Sequence, residues 1–142
     1  MNNKKASMMN EPDLIHTLLV RPATIAVIGL SPDPGKPSHY VPAYMQQRGY
    51  RILPVNPAVD RVLGETCYPS LTALPIKPDI VNVFRLPKYI PAIVEEMLQL
   101  GLSNLWVQSG IVNLEAAAQA EAGGIHVVMD RCIMVEHRRA AL

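Results

Sequence analysis

Two cysteines, four histidines and twelve carboxylates are spread over 142 residues, and few of them stand at a spacing that chemistry requires. Cys132 follows a stretch of strand character and is the first residue to weigh as a nucleophile. A thiol reacts only with a nearby base or a depressed pKa, and His137 is the one candidate close in sequence. A structural or merely redox-sensitive thiol is the simpler reading. Asp130, Arg131 and Glu136 could form an acid–base set, but an ion-paired C-terminal segment explains them with less. His16, His39 and His126 show no metal-ligand spacing, and Cys67 and Cys132 make neither a C-x-x-C pair nor a disulfide framework. No nucleophile, base and oxyanion donor assemble. The expectation is therefore a binding protein with no catalytic residue and no metal. What remains is a set of polar residues where apolar runs stop: Gly29-Leu30-Ser31, Asn56-Pro57, Phe84-Arg85, Gln108-Ser109-Gly110 and Asp130-Arg131-Cys132.

The elements that would position these residues follow from periodicity. Leu14, Ile15, Leu18 and Leu19 repeat at helical spacing behind Asp13 until Arg21-Pro22, which predicts a short helix on the edge of the domain. "TIAVIGL" from Thr24 is a run of β-formers without polar alternation, as in a strand buried on both faces. Ser38 is placed as the cap of a helix carrying Val41, Tyr44 and Met45, with Gly49 as its left-handed stop. "YRILPVNP" predicts a strand from Tyr50. A turn-rich link follows, with one short helix near Ser70 to Leu74, and then the strand "DIVNVFR". Ile90, Ile93, Val94, Met97 and Leu98 predict a helix stopped by Gly101. "NLWVQSG" is a strand that makes Trp106 a core residue, Asn113 caps the helix "LEAAAQAEAG", and "IHVVMD" is the last strand. "EHRRAA" reads as a solvated helix face.

Alternation of strands and helices predicts an α/β fold: a Rossmann-like, doubly wound, parallel five-stranded sheet in a single domain. The ligand crevice lies at the carboxyl ends of its strands. The boundaries are 1–23 for a helical lead-in and 24–142 for the domain. Gly29 lets a backbone approach closely, and amides at the following helix start can face a phosphate. A bulky side chain at Gly29 is expected to displace such a ligand with the fold largely kept. The loop lacks the G-x-G-x-x-G of dinucleotide sites, and the second strand ends in Asn56-Pro57 where a NAD site carries an acid for the ribose. Asn56 is left to bond a ribose or a base edge.

In these features the chain resembles the small stand-alone CoA-binding proteins, relatives of the CoA-binding domain of succinyl-CoA ligase α subunits. The likeness is carried by "IAVIGLS", "KPS", "ILPVNP", "LGETCYPSLTALP", "DIVNVFR", "LWVQSGI" and "VVMDRC" in order. It implies coenzyme A, or an acyl-CoA, as ligand. It implies a site on Gly29, Leu30, Ser31, Lys36, Ser38, Asn56, Pro57, Phe84, Arg85, Gln108 and Gly110. The pyrophosphate would lie over Gly29 to Ser31 and the amides near Ser38. Ala58 stands where the family usually has lysine, which leaves Lys36, helped by Arg61, for the ribose 3′-phosphate. Arg85 is then aimed at the pyrophosphate or the pantetheine carbonyls.

Charge narrows the alternatives. Thirteen basic residues against twelve acidic ones leave a net charge of +1, so no global field draws the chain to nucleic acid or an anionic membrane. The N-terminus has no apolar core behind its lysines, and the uncharged stretch Met97 to Leu114 is too rich in polar side chains to span a bilayer. A cytoplasmic location is expected. The partner expected is a small nucleotide ligand; no protein partner is indicated. Two other classes stay open: an oxidoreductase-like protein binding NAD(P), and an interaction module whose crevice holds nothing.

Overall fold

A computed structural model describes residues 11–140. Helix α1 (Glu11–Leu19) precedes strand β1 (Thr24–Ile28), helix α2 (Pro37–Gln47) and strand β2 (Arg51–Val55). Two short strands, β3 (Arg61–Val62) and β4 (Glu65–Thr66), interrupt the link to β5 (Ile80–Val83). Then come α3 (Ile90–Leu100), β6 (Asn104–Val107), α4 (Leu114–Ala122), β7 (His126–Val128) and α5 (Ile133–Arg139).

The five main strands are parallel, in the order β2-β1-β5-β6-β7. The chain leaves β1 toward β2 on one side and returns to β5 on the other, so the loops at the carboxyl ends of β1 and β5 diverge and leave a crevice between them. Alternate residues of β1 feed two cores. Ala26 and Ile28 pack with Val94, Met97, Ala116 and Ala120 beneath α3 and α4. Ile25 and Val27 pack with Leu19, Val41, Met45 and Ile133 beneath α1, α2 and α5. Burial on both faces is why β1 after Thr24, and β5 but for Asn82, are apolar.

Most predicted elements form. α1 lies beside the edge strand β7 and buries Leu14, Ile15 and Leu19; residues 1–10 of the predicted lead-in lie outside the described residues. Gly49 and Gly101 stop their helices at φ +92° and +69°. The Asn113 side chain accepts from the Ala116 N–H at 3.0 Å. Trp106 is fully buried, its indole donating to the Arg131 carbonyl at 2.8 Å.

Four expectations are corrected. Ser38 is not the cap of α2: Lys36 holds that position and Pro37 opens the helix, its fixed φ suiting the first helical residue. Ser70 to Leu74 makes turns, not a helix, because Pro69 and Pro75 leave too few residues between them for a stable one. The same link folds into the β3–β4 hairpin, too short for a periodicity to reveal. His137, on the supposed solvated face, is buried.

Candidate ligand-binding site

The turn after β1 is built by one glycine. Gly29 adopts φ +88°, and a Cβ placed there would lie 3.0 Å from the Phe84 carbonyl oxygen and 3.2 Å from Arg85 Cδ. Only glycine lets the turn pass this close to the end of β5. A side chain at this position therefore strains the fold itself, which overturns the expectation that it would spare it.

Beyond Gly29 the arm is folded on its own groups. The Leu30 side chain is fully buried, and its carbonyl accepts from Asn56 Nδ2 at 2.9 Å. The Ser31 N–H donates to the Ser38 carbonyl at 3.0 Å, and its Oγ accepts from the Asp33 N–H at 3.0 Å. Its carbonyl takes a hydrogen bond from His39 Nδ1 at 2.7 Å, which makes that nitrogen the protonated one. The arm delivers the start of α2 to the crevice without a side-chain cap and without an acid in its first turn. Such a start favours negative charge.

Two cavities open at the strand ends, and Phe84 lines both. The first, about 490 Å³, is walled by Lys36, Ser38 and Tyr40 at the start of α2, by Gln108 and Ser109 after β6, and by Cys132 before α5. No carboxylate lines it. The second, about 370 Å³, is walled by Gly29, Asn56, Pro57, Ser70, Arg85 and Glu96. Here most polar groups are engaged. Asn56 donates to Leu30 and accepts from the Ala58 N–H at 3.0 Å, so its amide serves as a clamp between two loops. Glu96 accepts from the Thr72 N–H and hydroxyl at 3.0 and 2.7 Å. The Arg85 guanidinium lies 4.1 Å from the centre of the Tyr89 ring.

Of the residues predicted for the site, Lys36, Ser38 and Gln108 meet in the first cavity and Gly29, Asn56, Pro57 and Arg85 in the second. Leu30 and Ser31 form the arm between them. Gly110 lines neither; its N–H donates to Asp130 Oδ1 at 2.6 Å. Arg61 is taken up in the hairpin, donating to the Gly64 carbonyl at 2.7 Å.

The expected ion pairing of Arg131 is present, to Glu11 at 2.7 Å and Glu136 at 3.7 Å, and the Glu11 bond and charge raise its pKa. His137 is engaged by Tyr44, and no hydrogen bond joins it to Cys132 among the described residues. Its Nδ1 shares a hydrogen bond with the Tyr44 hydroxyl at 2.9 Å, and burial, with Arg48 nearby, holds its pKa below the usual value. Burial, and then Asp60, push the Cys67 thiol up, away from reactivity. No group of metal-binding side chains occurs among the described residues.

Sequence reasoning missed the cavity walls from α2 and α5, Tyr40, Val41, Met134 and Val135, because which helix faces reach the crevice depends on strand order. It also passed over Asn82, whose signal was present: a lone amide inside an apolar strand.

Comparison with known proteins bears on this site. The family model described as a CoA binding domain matches residues 23–138. The chain is 43% identical over 123 residues to YneT of Bacillus subtilis, an uncharacterized protein, with 87% of this chain and 91% of YneT covered. It is 32% identical over 105 residues to acetate–CoA ligase [ADP-forming] II of Archaeoglobus fulgidus, covering 72% of this chain but 16% of the ligase. The solved structure of cell-free ID.343 from Thermus thermophilus superposes with a TM-score of 0.86 at 42% identity, over 92% of this chain and 98% of that one.

Proposed function

Because the chain belongs to the CoA-binding domain family, we propose that it binds coenzyme A, free or acylated, along the two-part crevice, and that by itself it does no chemistry on the ligand. The observation that carries this reading is the uncapped, acid-free start of α2, set with Lys36 in a cavity that no carboxylate lines. Pro37 has no N–H and the His39 N–H is bonded to the Lys36 carbonyl, so the Ser38 N–H, the positive end of the helix and the Lys36 cation are what suit a pyrophosphate there. A cavity near 490 Å³ also falls within the roughly 300–1,000 Å³ usual for small-molecule sites.

The division of the two cations between the cavities exchanges both of their expected assignments. Lys36 accompanies the α2 start and is assigned to the pyrophosphate. Arg85 shares the second cavity with Asn56 and Pro57 and is assigned to the ribose 3′-phosphate. Bound CoA would supply a thiol for carrying acyl groups. This chain's residues would hold it. The ligase relative names CoA in its reaction, but this chain corresponds to 16% of it, and ligase activity is not carried over. We place the protein in the cytoplasm on its unpaired thiols and balanced charge. No helix among the described residues is long and apolar enough to cross a membrane.

Thermal unfolding tests the proposal. At about a hundred times Kd, a ligand adds roughly 2.7 kcal/mol. At about 2–4 °C per kcal/mol for a chain of this size, CoA should raise the Tm plainly, and NAD and NADP should not. Equal or larger shifts with NADP would transfer the site to the oxidoreductase reading.

A further inference from the structure

One amide decides what the wall of the first cavity offers a ligand. Gln108 is only 4% exposed, yet it lines that cavity. Its sense is set by neighbours whose roles admit no choice. The Trp106 carbonyl can only accept, so the Asn82 atom 3.2 Å from it is nitrogen. That nitrogen's other proton is directed at Gln108 at 3.0 Å, and the Ile133 N–H, which can only donate, reaches the same Gln108 atom at 3.0 Å. An atom that meets two donors is the oxygen.

Both lone pairs of Gln108 Oε1 are thus filled from the protein side. No buried side-chain nitrogen or oxygen among the described residues lacks a partner. Gln108 Nε2, which takes no part in these bonds, is the end that reaches the cavity. Asn82 is 1% exposed inside a strand that valine would suit as well, so its burial is a cost that the strand alone does not explain.

We infer that Asn82 is a positioning residue. It locks Gln108 with its N–H donors toward the first cavity, and so selects a ligand segment presenting acceptor oxygens there, namely the amide or thioester carbonyls of the pantetheine arm. The inference rests on the CoA reading above and adds to it which end of the ligand enters which cavity.

Two variants test it, Gln108→Glu and Asn82→Asp. Gln108→Glu keeps both inward hydrogen bonds but turns an acceptor toward the ligand. Asn82→Asp sets an acceptor against Gln108 Oε1 while the Ile133 N–H still donates to it, so the amide is no longer held in one sense. Each variant is titrated with CoA and with adenosine 3′,5′-bisphosphate, which lacks the arm. Side-chain amide exchange of Gln108 is followed by NMR without ligand.

The expected result is a CoA affinity reduced about tenfold in both variants, with the bisphosphate changed by less than about twofold. In the wild type the Gln108 amide protons exchange fast. Equal losses for both ligands would make the network merely structural and overturn the inference. Unchanged CoA binding in both variants, or protected Gln108 protons in the wild type, would also overturn it. Wild-type protein that binds neither ligand removes the CoA reading and this inference together, whereas binding without the selective loss removes only this inference.

Discussion

On the α2 side of Phe84 the polar groups still have bonds to make; on the β2 side they have largely made them. The first cavity holds an uncapped helix start, Lys36 and the donor end of Gln108. The second holds Asn56 clamped to Leu30 and Ala58, Glu96 held by Thr72, and Arg85 laid on Tyr89. A wall with open donors can discriminate among ligands by chemistry, since a mismatched group leaves a donor unpaired. A wall whose groups are engaged discriminates mainly by shape, apart from Arg85, whose ring contact leaves its N–H donors for an anion. We therefore expect the first cavity to set which ligand is taken, and the second to receive a rigid portion of it.

The largest expected effect tests what the two halves share. Gly29 lines the second cavity and turns, at φ +88°, against Phe84, which lines both, with Phe84 and Arg85 in the way of any Cβ. A β-branched residue there carries about 1–3 kcal/mol of backbone strain before the contact is counted. Gly29→Val should lower the Tm by upward of about 5 °C and abolish CoA binding, with Gly29→Ala intermediate. A Gly29→Val protein with wild-type Tm would mean that the turn can move off β5, and the crevice would not be one preformed site.

That result also marks what the sequence could convey. Gly29 was legible as a turn glycine because it ends an apolar strand, and Asn113 as a cap because an alanine-rich helix follows it. Such signals are local. What Gly29 avoids is not local: the Phe84 carbonyl lies 55 residues along the chain and approaches only once β5 pairs with β1. The division of the site into two cavities was hidden for the same reason. From the sequence Lys36 is expected at the 3′-phosphate and Arg85 at the pyrophosphate, because only the folded strand order shows that they line different cavities that share Phe84. The β3–β4 hairpin was missed because two-residue strands carry no periodicity.

A smaller effect separates those two cations. A charge-assisted hydrogen bond is worth about 1.5–3 kcal/mol, and exposure brings a surface contact toward or below the lower figure, so each loss is expected to be about tenfold or less. Calorimetric titration with CoA and dephospho-CoA divides them. Lys36→Ala should weaken both ligands, and Arg85→Ala should weaken CoA and nearly spare dephospho-CoA. The opposite pattern, with dephospho-CoA spared by Lys36→Ala, would put the 3′-phosphate in the first cavity and reverse the comparison.

The smallest effect concerns what holds the first cavity's walls together. α2 contributes Tyr40 and Val41 to that cavity, and α5 contributes Met134 and Val135. The two helices are pinned behind it by the hydrogen bond between Tyr44 and buried His137. The Tyr44 and Tyr50 rings meet His137 edge-on, and Arg48 and Arg138 lie over the Tyr44 ring. Burial first, and Arg48 second, depress the His137 pKa from 6.5. A depressed folded-state pKa means that the unfolded chain takes up the proton first. The stabilisation is therefore whole above about pH 6.5 and is lost as pH falls below it, until the folded imidazole also protonates. Urea midpoints measured at about pH 7.5 and 5.5 should fall further for the wild type than for His137→Phe. Because the pin joins walls of the first cavity, CoA affinity should weaken more in the wild type than in His137→Phe only at the lower pH where the folded imidazole itself takes up a proton. Parallel pH profiles for the two proteins would show that the α2–α5 contact does not depend on the neutral imidazole, and the first cavity would then be as insensitive to acid as the second.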